Sequence, residues 1–279
     1  MKIAVITDME GAAGVLNFED WTTPEGRYYE RGKAFLTLET NAAIEGFFAA
    51  RGMAADAALE VVVIDGHGDG GIDPWLLDQR AQLSRGWGVY HQFGLDDHFD
   101  AVAWVGQHAK AGALYAHMAH TGSCGVLEHK INGISVGEFG ECAAIAGFYG
   151  AAAIFGSGDR AFTQEAQALI PGIHTVSVKR GVNLTDGAHC DAQAYSRHTL
   201  GAVHLHPAKA RQLIHGGAEQ ALLHFMANRE NYPPLRLEPP FVCETWYRAN
   251  AFMGPYKETR RHGSDIVAMY SEKAEREDT

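Results

Sequence analysis

Short apolar runs alternate along this chain with longer segments in which apolar residues recur at helical spacing. The runs are rich in β-branched residues and nearly continuous, which is typical of strands buried on both faces. In chain order the pattern predicts strands over residues 3–7, 59–65, 101–106, 152–155 extending toward 159, 175–179, 241–247 and 265–270. It predicts helices over residues 27–50, 75–83, 138–149, 164–169 and 207–226.

This alternation predicts an α/β fold with a mostly parallel central sheet flanked by helices, because parallel strands need helical crossovers that cover the sheet. A proline-rich break over residues 232–240 precedes a change of pattern. We therefore expect an α/β domain over residues 1–230 and a smaller α+β C-terminal portion over residues 231–279. The charged tail, residues 272–279, is predicted to be frayed.

Composition narrows the class of protein. The chain has 279 residues, 46% hydrophobic and 20% charged, which suits a globular protein with a sizeable core. A net charge of −11 without any basic run argues against nucleic-acid binding. No stretch is long and apolar enough for a membrane helix or a secretory signal, and the four cysteines lack CxxC spacing, so we expect a cytoplasmic protein with reduced thiols.

Polar side chains follow the predicted strands where each strand ends. Asp8 and Glu10 follow the first strand, Asp65 and His67 the second, and His108 the third. Parallel α/β sheets bind ligands beyond the carboxyl ends of their strands, so these groups converge on one edge. Side chains two residues apart in extended chain point the same way, so each pair can face one ion.

Several carboxylates and imidazoles at one edge favour a cation, because like charges a few ångströms apart resist joint ionisation. Oxygen and nitrogen donors suit zinc, with manganese, cobalt or iron as alternatives. Glu138, a glycine-flanked acid at a predicted helix start, is a further candidate ligand. The competing interpretation is that acids at strand ends, including Asp159 in GSGD, cap helices or stay solvated in loops.

A glycine motif after the second predicted strand indicates a different function, the binding of a dinucleotide. Gly66, Gly68 and Gly71 match G-x-G-x-x-G after a strand, as in dinucleotide-binding proteins. Acids within and beside the motif would repel a pyrophosphate, which favours a purely loop-forming role for these glycines. A nucleotide-dependent oxidoreductase and a non-catalytic metal-binding assembly protein nevertheless remain the alternatives to a metal enzyme.

The chain also resembles a known protein family over roughly residues 1–225. The motifs are DMEG at 8–11, YYERGK at 28–33, DGH at 65–67, GQHAKAG at 106–112, AHTGS at 119–123, NGISVGEFG at 132–140, GSGD at 156–159 and LIPGIHTVSVKRG at 169–181. Together they resemble the M55 peptidases. The resemblance implies a metallo-aminopeptidase or amidase that uses two Zn²⁺ ions per chain to activate water, within a ring-like homo-oligomer such as a decamer.

The same resemblance implies roles for individual residues. It assigns the metal ligands to Asp8, Glu10, His67, His108 and Glu138, with Asp8 as the bridge between two ions. The catalytic histidine matches His120 best, and His117 stays open as the alternative.

Departures from the family pattern fall where pocket walls are expected. Gly140-Glu141-Cys142 stands where the family often has Gly-Leu-Asn, and Ala113-Leu114-Tyr115 replaces a common Thr-Pro. We therefore expect either a short peptide substrate or a small non-peptide amide or lactam.

Overall fold

A computed structural model describes residues 1–52, 58–86 and 94–279. Its strands are, in chain order, β1 (Lys2–Thr7), β2 (Glu60–Asp65), β3 (Ala81–Ser84), β4 (Ala101–Gln107), β5 (Val126–Ile131), β6 (Ile134–Ser135), β7 (Ala152–Asp159), β8 (His174–Gly181), β9 (Ala202–His204), β10 (Phe241–Tyr247), β11 (Tyr256–His262) and β12 (Glu275–Asp278). Its helices are α1 (Phe18–Trp21), α2 (Tyr29–Gly52), α3 (Glu138–Phe148), α4 (Arg160–Leu169), α5 (Ala192–His198), α6 (Pro207–Ala227) and α7 (Ile266–Met269), with a short 3₁₀ turn at Arg229–Asn231.

Seven of these strands form the central sheet, in the order β3-β2-β1-β4-β7-β8-β9. All neighbours pair in parallel except β8 and β9. The chain moves outward from β1 in one direction through β2 and β3, and from β4 in the other through β7 and β8. The strand order therefore reverses between β1 and β4, which is where doubly wound sheets form their binding crevice.

Both faces of this sheet are covered. In β1, Ile3 and Val5 pack toward α2 and α6, while Ala4 and Ile6 pack toward α3. On the α3 face, the Trp104 and Phe139 rings meet edge to face with centroids 4.7 Å apart. Burial on both sides explains why these strands are apolar throughout, and the predicted mostly parallel α/β fold is confirmed.

A second, five-stranded antiparallel sheet has the order β12-β11-β10-β5-β6. It combines strands near residue 130 with the C-terminal strands, and Phe241 and Cys243 extend the core on the α3 face. The proposed division of the chain at residue 230 stays a prediction. None of the helices in the described ranges has the length and apolar character required to cross a bilayer.

Three local predictions are wrong. The predicted helix 75–83 is instead a turn followed by β3, because the Asp73 side chain accepts from the Trp75 amide and closes the turn at once. The predicted strand 265–270 is α7, since the Asp265 carboxylate caps it by accepting from the Val267 and Ala268 amides. The tail is not frayed along its length, because β12 pairs with β11.

Candidate metal centre

The candidate ligands meet at the crevice between β1 and β4. Asp8 and Glu10 lie just beyond β1, His67 beyond β2 and His108 beyond β4, while Glu138 is the first residue of α3. With His120, all except the deeply buried His108 line one cavity of about 490 Å³.

Close backbone contact brings the loops after β1 and β4 together. The Gly11 amide donates to the Gly106 carbonyl at 2.7 Å, and the Asp8 amide donates to the Val105 carbonyl at 3.0 Å. Gly106 has a φ of +75°, and a Cβ there would lie 2.0 Å from the Asp8 carbonyl oxygen. Glycine is therefore required at residue 106 both for the backbone conformation and for the approach.

Two groups of potential metal ligands share this crevice: Asp8–Glu10–His67 and His108–His120–Glu138. His67 Nδ1 lies 3.3 Å from Asp8 Oδ1 and 3.1 Å from Glu10 Oε2. His108 Nε2 lies 3.5 Å from Glu138 Oε1 and 3.0 Å from Asp8 Oδ2. Asp8 thus presents one carboxylate oxygen to each group.

Each of the three histidines is oriented by a backbone carbonyl. His67 Nε2 lies 2.7 Å from the Thr22 oxygen, and His108 Nδ1 lies 2.9 Å from the Ala109 oxygen. His120 Nδ1 lies 2.9 Å from the Met118 oxygen. A carbonyl accepts from an N–H, so in neutral imidazole the opposite nitrogen carries the lone pair and faces the carboxylates, as it does in metal-binding histidines.

Imidazoles and carboxylates of the site shift one another's pKa values. Burial would lower the pKa of His67, but Glu10 and Asp8 raise it to about 12. Burial would raise the pKa of Glu138, but His108 and His120 and the Gly122 amide lower it to about 2. The Glu138 carboxylate therefore stays ionised, and the surroundings of Glu138 and His67 favour positive charge, which a divalent cation can supply.

Two potential ligand atoms have no hydrogen bond. Glu10 Oε2 and His108 Nε2 are both buried, and neither makes a hydrogen bond to the described residues, although each lies within ion-pair distance of a neighbour. Buried polar atoms are rarely left this way without a missing partner. Orphaned oxygen and nitrogen donors aimed into a carboxylate–imidazole cluster fit a borderline metal such as zinc.

The structure separates the two candidate catalytic histidines. The His120 ring stacks on His108 with centroids 4.0 Å apart, and its Nε2 lies 3.7 Å from Glu138 Oε1. The His117 Nε2 instead lies 3.2 Å from the Leu16 carbonyl oxygen, and burial, Lys179 and His204 lower its pKa to about 2. His120 is therefore the histidine that faces the candidate ligands, while its role stays a prediction.

Asp65 was predicted to face the same ion as His67, but its carboxylate accepts hydrogen bonds from backbone amides instead. Its carboxylate accepts from the Gly71 amide at 2.9 Å and from the Ile72 amide at 3.3 Å, and so closes the glycine-rich loop. Asp159 caps α4 by accepting from the Phe162 amide at 3.0 Å. These two strand-end acids therefore organise loops and are absent from both ligand groups formed by the described residues.

Sequence reasoning missed two residues of the site region, Phe18 and Lys179. Phe18 packs edge-on against the His120 ring with centroids 5.4 Å apart. Glu141, in a segment where a pocket wall was expected, lines the cavity one helical turn after Glu138. Lys179, buried on β8, reaches the loop after β1. The three-residue spacing on one helix face was a signal for Glu141. An isolated lysine in a strand offers none for Lys179.

Known proteins of one family are similar to this chain in sequence and fold. The peptidase M55 family, described as D-aminopeptidase, matches residues 1–254. A D-aminopeptidase of Bacillus subtilis (strain 168) is 32% identical over 186 residues, which span 66% of this chain and 65% of that protein. A solved structure, described as the Zn-dependent D-aminopeptidase DppA from Bacillus subtilis, a self-compartmentalizing protease, superposes with a TM-score of 0.79. It is 25% identical, and the superposition covers 97% of this chain and 94% of that one. The chain therefore belongs to the peptidase M55 family.

Proposed function

We propose that this protein is a metal-dependent amide-bond hydrolase of the aminopeptidase type with two Zn²⁺ ions per chain. The observation that carries the proposal is the Asp8 carboxylate, whose two oxygens face two separate ligand groups. The names of the relatives support both zinc and peptide hydrolysis. Manganese, cobalt or iron would fit the same donors.

In this proposal Asp8, Glu10 and His67 hold one ion, and Asp8, His108 and Glu138 hold the other. Zinc at such a site lowers the pKa of bound water from 15.7 to about 7 and polarises a carbonyl. The protein orients the ligands, because the Thr22 and Ala109 carbonyls fix the imidazoles. The Gln107 amide and the Met9 backbone N–H hold the Asp8 carboxylate.

His120 is the proposed proton carrier. Its Nδ1–H donates to the Met118 carbonyl, which leaves Nε2 to exchange a proton with the reacting amide. Phe18 packs against the ring and restricts its rotation. The same ring also lies near enough to Glu138 to serve as a metal ligand, so its role is tested by the metal content of a His120 variant.

The cavity lining bears on the substrate. Of the described residues that line it, none is lysine or arginine, and Asp69 adds a carboxylate beyond the proposed ligands, while burial and Glu138 raise the pKa of Glu141 to about 7. The Asp69 carboxylate can pair with an ammonium group, whereas the described lining offers no lysine or arginine to pair with a free carboxylate. We therefore propose substrates with a free amino terminus, with D-aminoacyl amides and short D-peptides first and small amides or lactams as the alternative class.

Assembly into a ring-like homo-oligomer is part of the proposal, since the solved relative is described as self-compartmentalizing. Trp75 and Phe252 are 92% and 94% exposed, which is unusual for large aromatic side chains and suits contact with another subunit. Light scattering on the purified protein tests this part, and a monomer would contradict it.

The function is tested with a panel of substrates on zinc-loaded protein. D- and L-aminoacyl amides, their N-acetylated forms, dipeptides and lactams are compared by kcat/KM. We expect hydrolysis of free-amine substrates that is lost on chelation and restored by zinc. Metal-loaded protein that hydrolyses none of these amides would contradict the proposed function.

A further inference from the structure

The segment from Glu10 to Thr22 supplies three separate parts of the site. Glu10 is a proposed ligand, Phe18 packs on the His120 ring, and the Thr22 carbonyl orients His67. Residues 11–17 all lie outside helix and strand, so no regular hydrogen-bond ladder fixes their path. Their position must therefore come from contacts with neighbouring elements.

Lys179 provides the most extensive of these contacts. It lies on β8 with only 3% of its surface exposed, and its ammonium group donates to the backbone carbonyls of Glu10, Ala12 and Val15. The distances to the Ala12 and Val15 oxygens are 3.1 and 3.5 Å. An ammonium has three donors and no acceptor, so one side chain satisfies three loop carbonyls at once.

Two further side chains, buried Glu39 and half-buried His204, contact the same loop. Glu39 Oε1, on α2, accepts from the Ala13 amide at 2.9 Å, and His204 Nδ1 accepts from the Gly14 amide at 3.1 Å. These contacts hold amides, whereas Lys179 holds carbonyls, including that of Glu10 itself. Of these side chains, Lys179 is the one bonded to the backbone of a proposed ligand.

We propose that Lys179 is a positioning residue that sets the location of the Glu10 carboxylate and thereby the affinity of one of the two metal positions. This inference rests on the proposed two-metal function. His108 and Glu138 lie on other elements, after β4 and at the start of α3, and the Lys179 ammonium bonds to carbonyls of the loop after β1 rather than to either residue. Loss of Lys179 should therefore weaken the Asp8–Glu10–His67 position and spare the Asp8–His108–Glu138 position.

The variant Lys179→Met keeps an unbranched apolar stem but removes the ammonium group with all three donors. Zinc affinity is measured by chelator competition on the full chain, in two backgrounds that each retain one position: His108→Ala and His67→Ala. We expect Lys179→Met to weaken zinc binding about 10–100-fold in the His108→Ala background, the range for loss of a group that orients a ligand. In the His67→Ala background the change should stay below about threefold, within the scatter of independent sites.

Lys257→Met is the matched control, since Lys257 pairs with Glu244 in the second sheet, away from the crevice. Lys179→Gln, which retains two N–H donors, gives an intermediate loss and serves if the methionine variant does not fold. Equal weakening in both backgrounds, or none in either, in folded protein would overturn the positioning role. If the unsubstituted chain binds fewer than two zinc ions, the proposed function fails first and this inference with it.

Discussion

Asp8 and Asp159 occupy equivalent places in the sheet and have different surroundings. Asp8 lies just beyond β1 and Asp159 ends β7, and both are buried. The Asp159 carboxylate accepts from two backbone amides, those of Phe162 and His117. The Asp8 carboxylate faces the side chains of His67 and His108, one on each oxygen.

The electrostatics of the two acids differ accordingly. Burial raises the pKa of Asp159, which has only backbone dipoles and the more distant Lys179 to stabilise its charge. Burial would also raise the pKa of Asp8, but His108 and His67 lower it below the ordinary range. A strand-end acid therefore builds a loop when backbone amides satisfy it, and it can hold a cation when imidazoles surround it.

The largest expected effect separates these two acids. Asp8→Asn removes the charge between the two ligand groups, so we expect loss of both metals and a fall in kcat/KM on the order of 10³-fold or more. Metal content by elemental analysis and hydrolysis of a D-aminoacyl amide measure the change. An Asp8→Asn protein that retains two metals would show that Asp8 does not bridge them.

The next effect concerns proton transfer. His120→Ala should lower kcat by about 10²–10⁴-fold, the range for loss of a general acid or base, while both metals stay bound. His224→Ala is the control, because His224 lies on α6 and contacts His174 at the start of β8, away from the candidate ligands. If metal content falls to one ion in His120→Ala, the histidine is a ligand instead.

A third effect appears in the pH dependence of stability. The folded-state pKa of His67 is about 12 against 6.5 for the free side chain, so folded metal-free protein retains a proton that the unfolded chain releases. That stabilisation is complete below pH 6.5 and is lost as the pH rises toward 12. Zinc displaces the proton, so the gain in Tm on adding zinc should grow between about pH 7 and 9.

Differential scanning fluorimetry at fixed free zinc measures this gain. The His67→Ala variant provides the control, and its gain should vary less with pH, because only the His108 proton, whose pKa Glu138 and Asp8 raise against burial, remains to be displaced. A zinc-induced gain in Tm that does not change with pH in the unsubstituted protein would contradict the assigned charge of His67.

The smallest expected effect on activity comes from substitution of Asp159. Asp159→Ala removes the cap of α4, which costs about 0.5–2 kcal/mol of stability, while metal content and the kcat/KM of folded protein stay unchanged. Thermal unfolding and elemental analysis measure the two quantities. Loss of metal in Asp159→Ala would remove the distinction drawn between the two strand ends.

The sequence predicts the central sheet well because strands buried on both faces have a nearly continuous apolar pattern. It misses β5, β11 and β12, which are partly or fully exposed at many positions and rich in polar residues such as those of YKETRRH, so their identity depends on pairing with distant strands. It also misses β3, β6 and β9, which have only two to four residues each. The helix predicted over residues 75–83 fails because a side chain closes a turn there, and Trp75 has no surface to pack against.

For the candidate site, too, some residues could be predicted from their position in the sequence, and others depend on distant contacts. The position of a polar residue after a parallel strand predicts where Asp8, His67 and His108 lie. Position alone cannot separate Asp8 from Asp65, because the distinction depends on which atoms fill the space around each carboxylate. Lys179 could not be predicted, since its contacts with the loop after β1 span more than 160 residues of sequence.

Anomalous X-ray diffraction from crystals of the zinc-loaded protein, recorded on both sides of the zinc absorption edge, shows whether two zinc ions share Asp8. We predict two zinc peaks per chain, one beside each oxygen of Asp8. A single peak, or two peaks that do not share Asp8, would show that Asp8 does not join two metal positions.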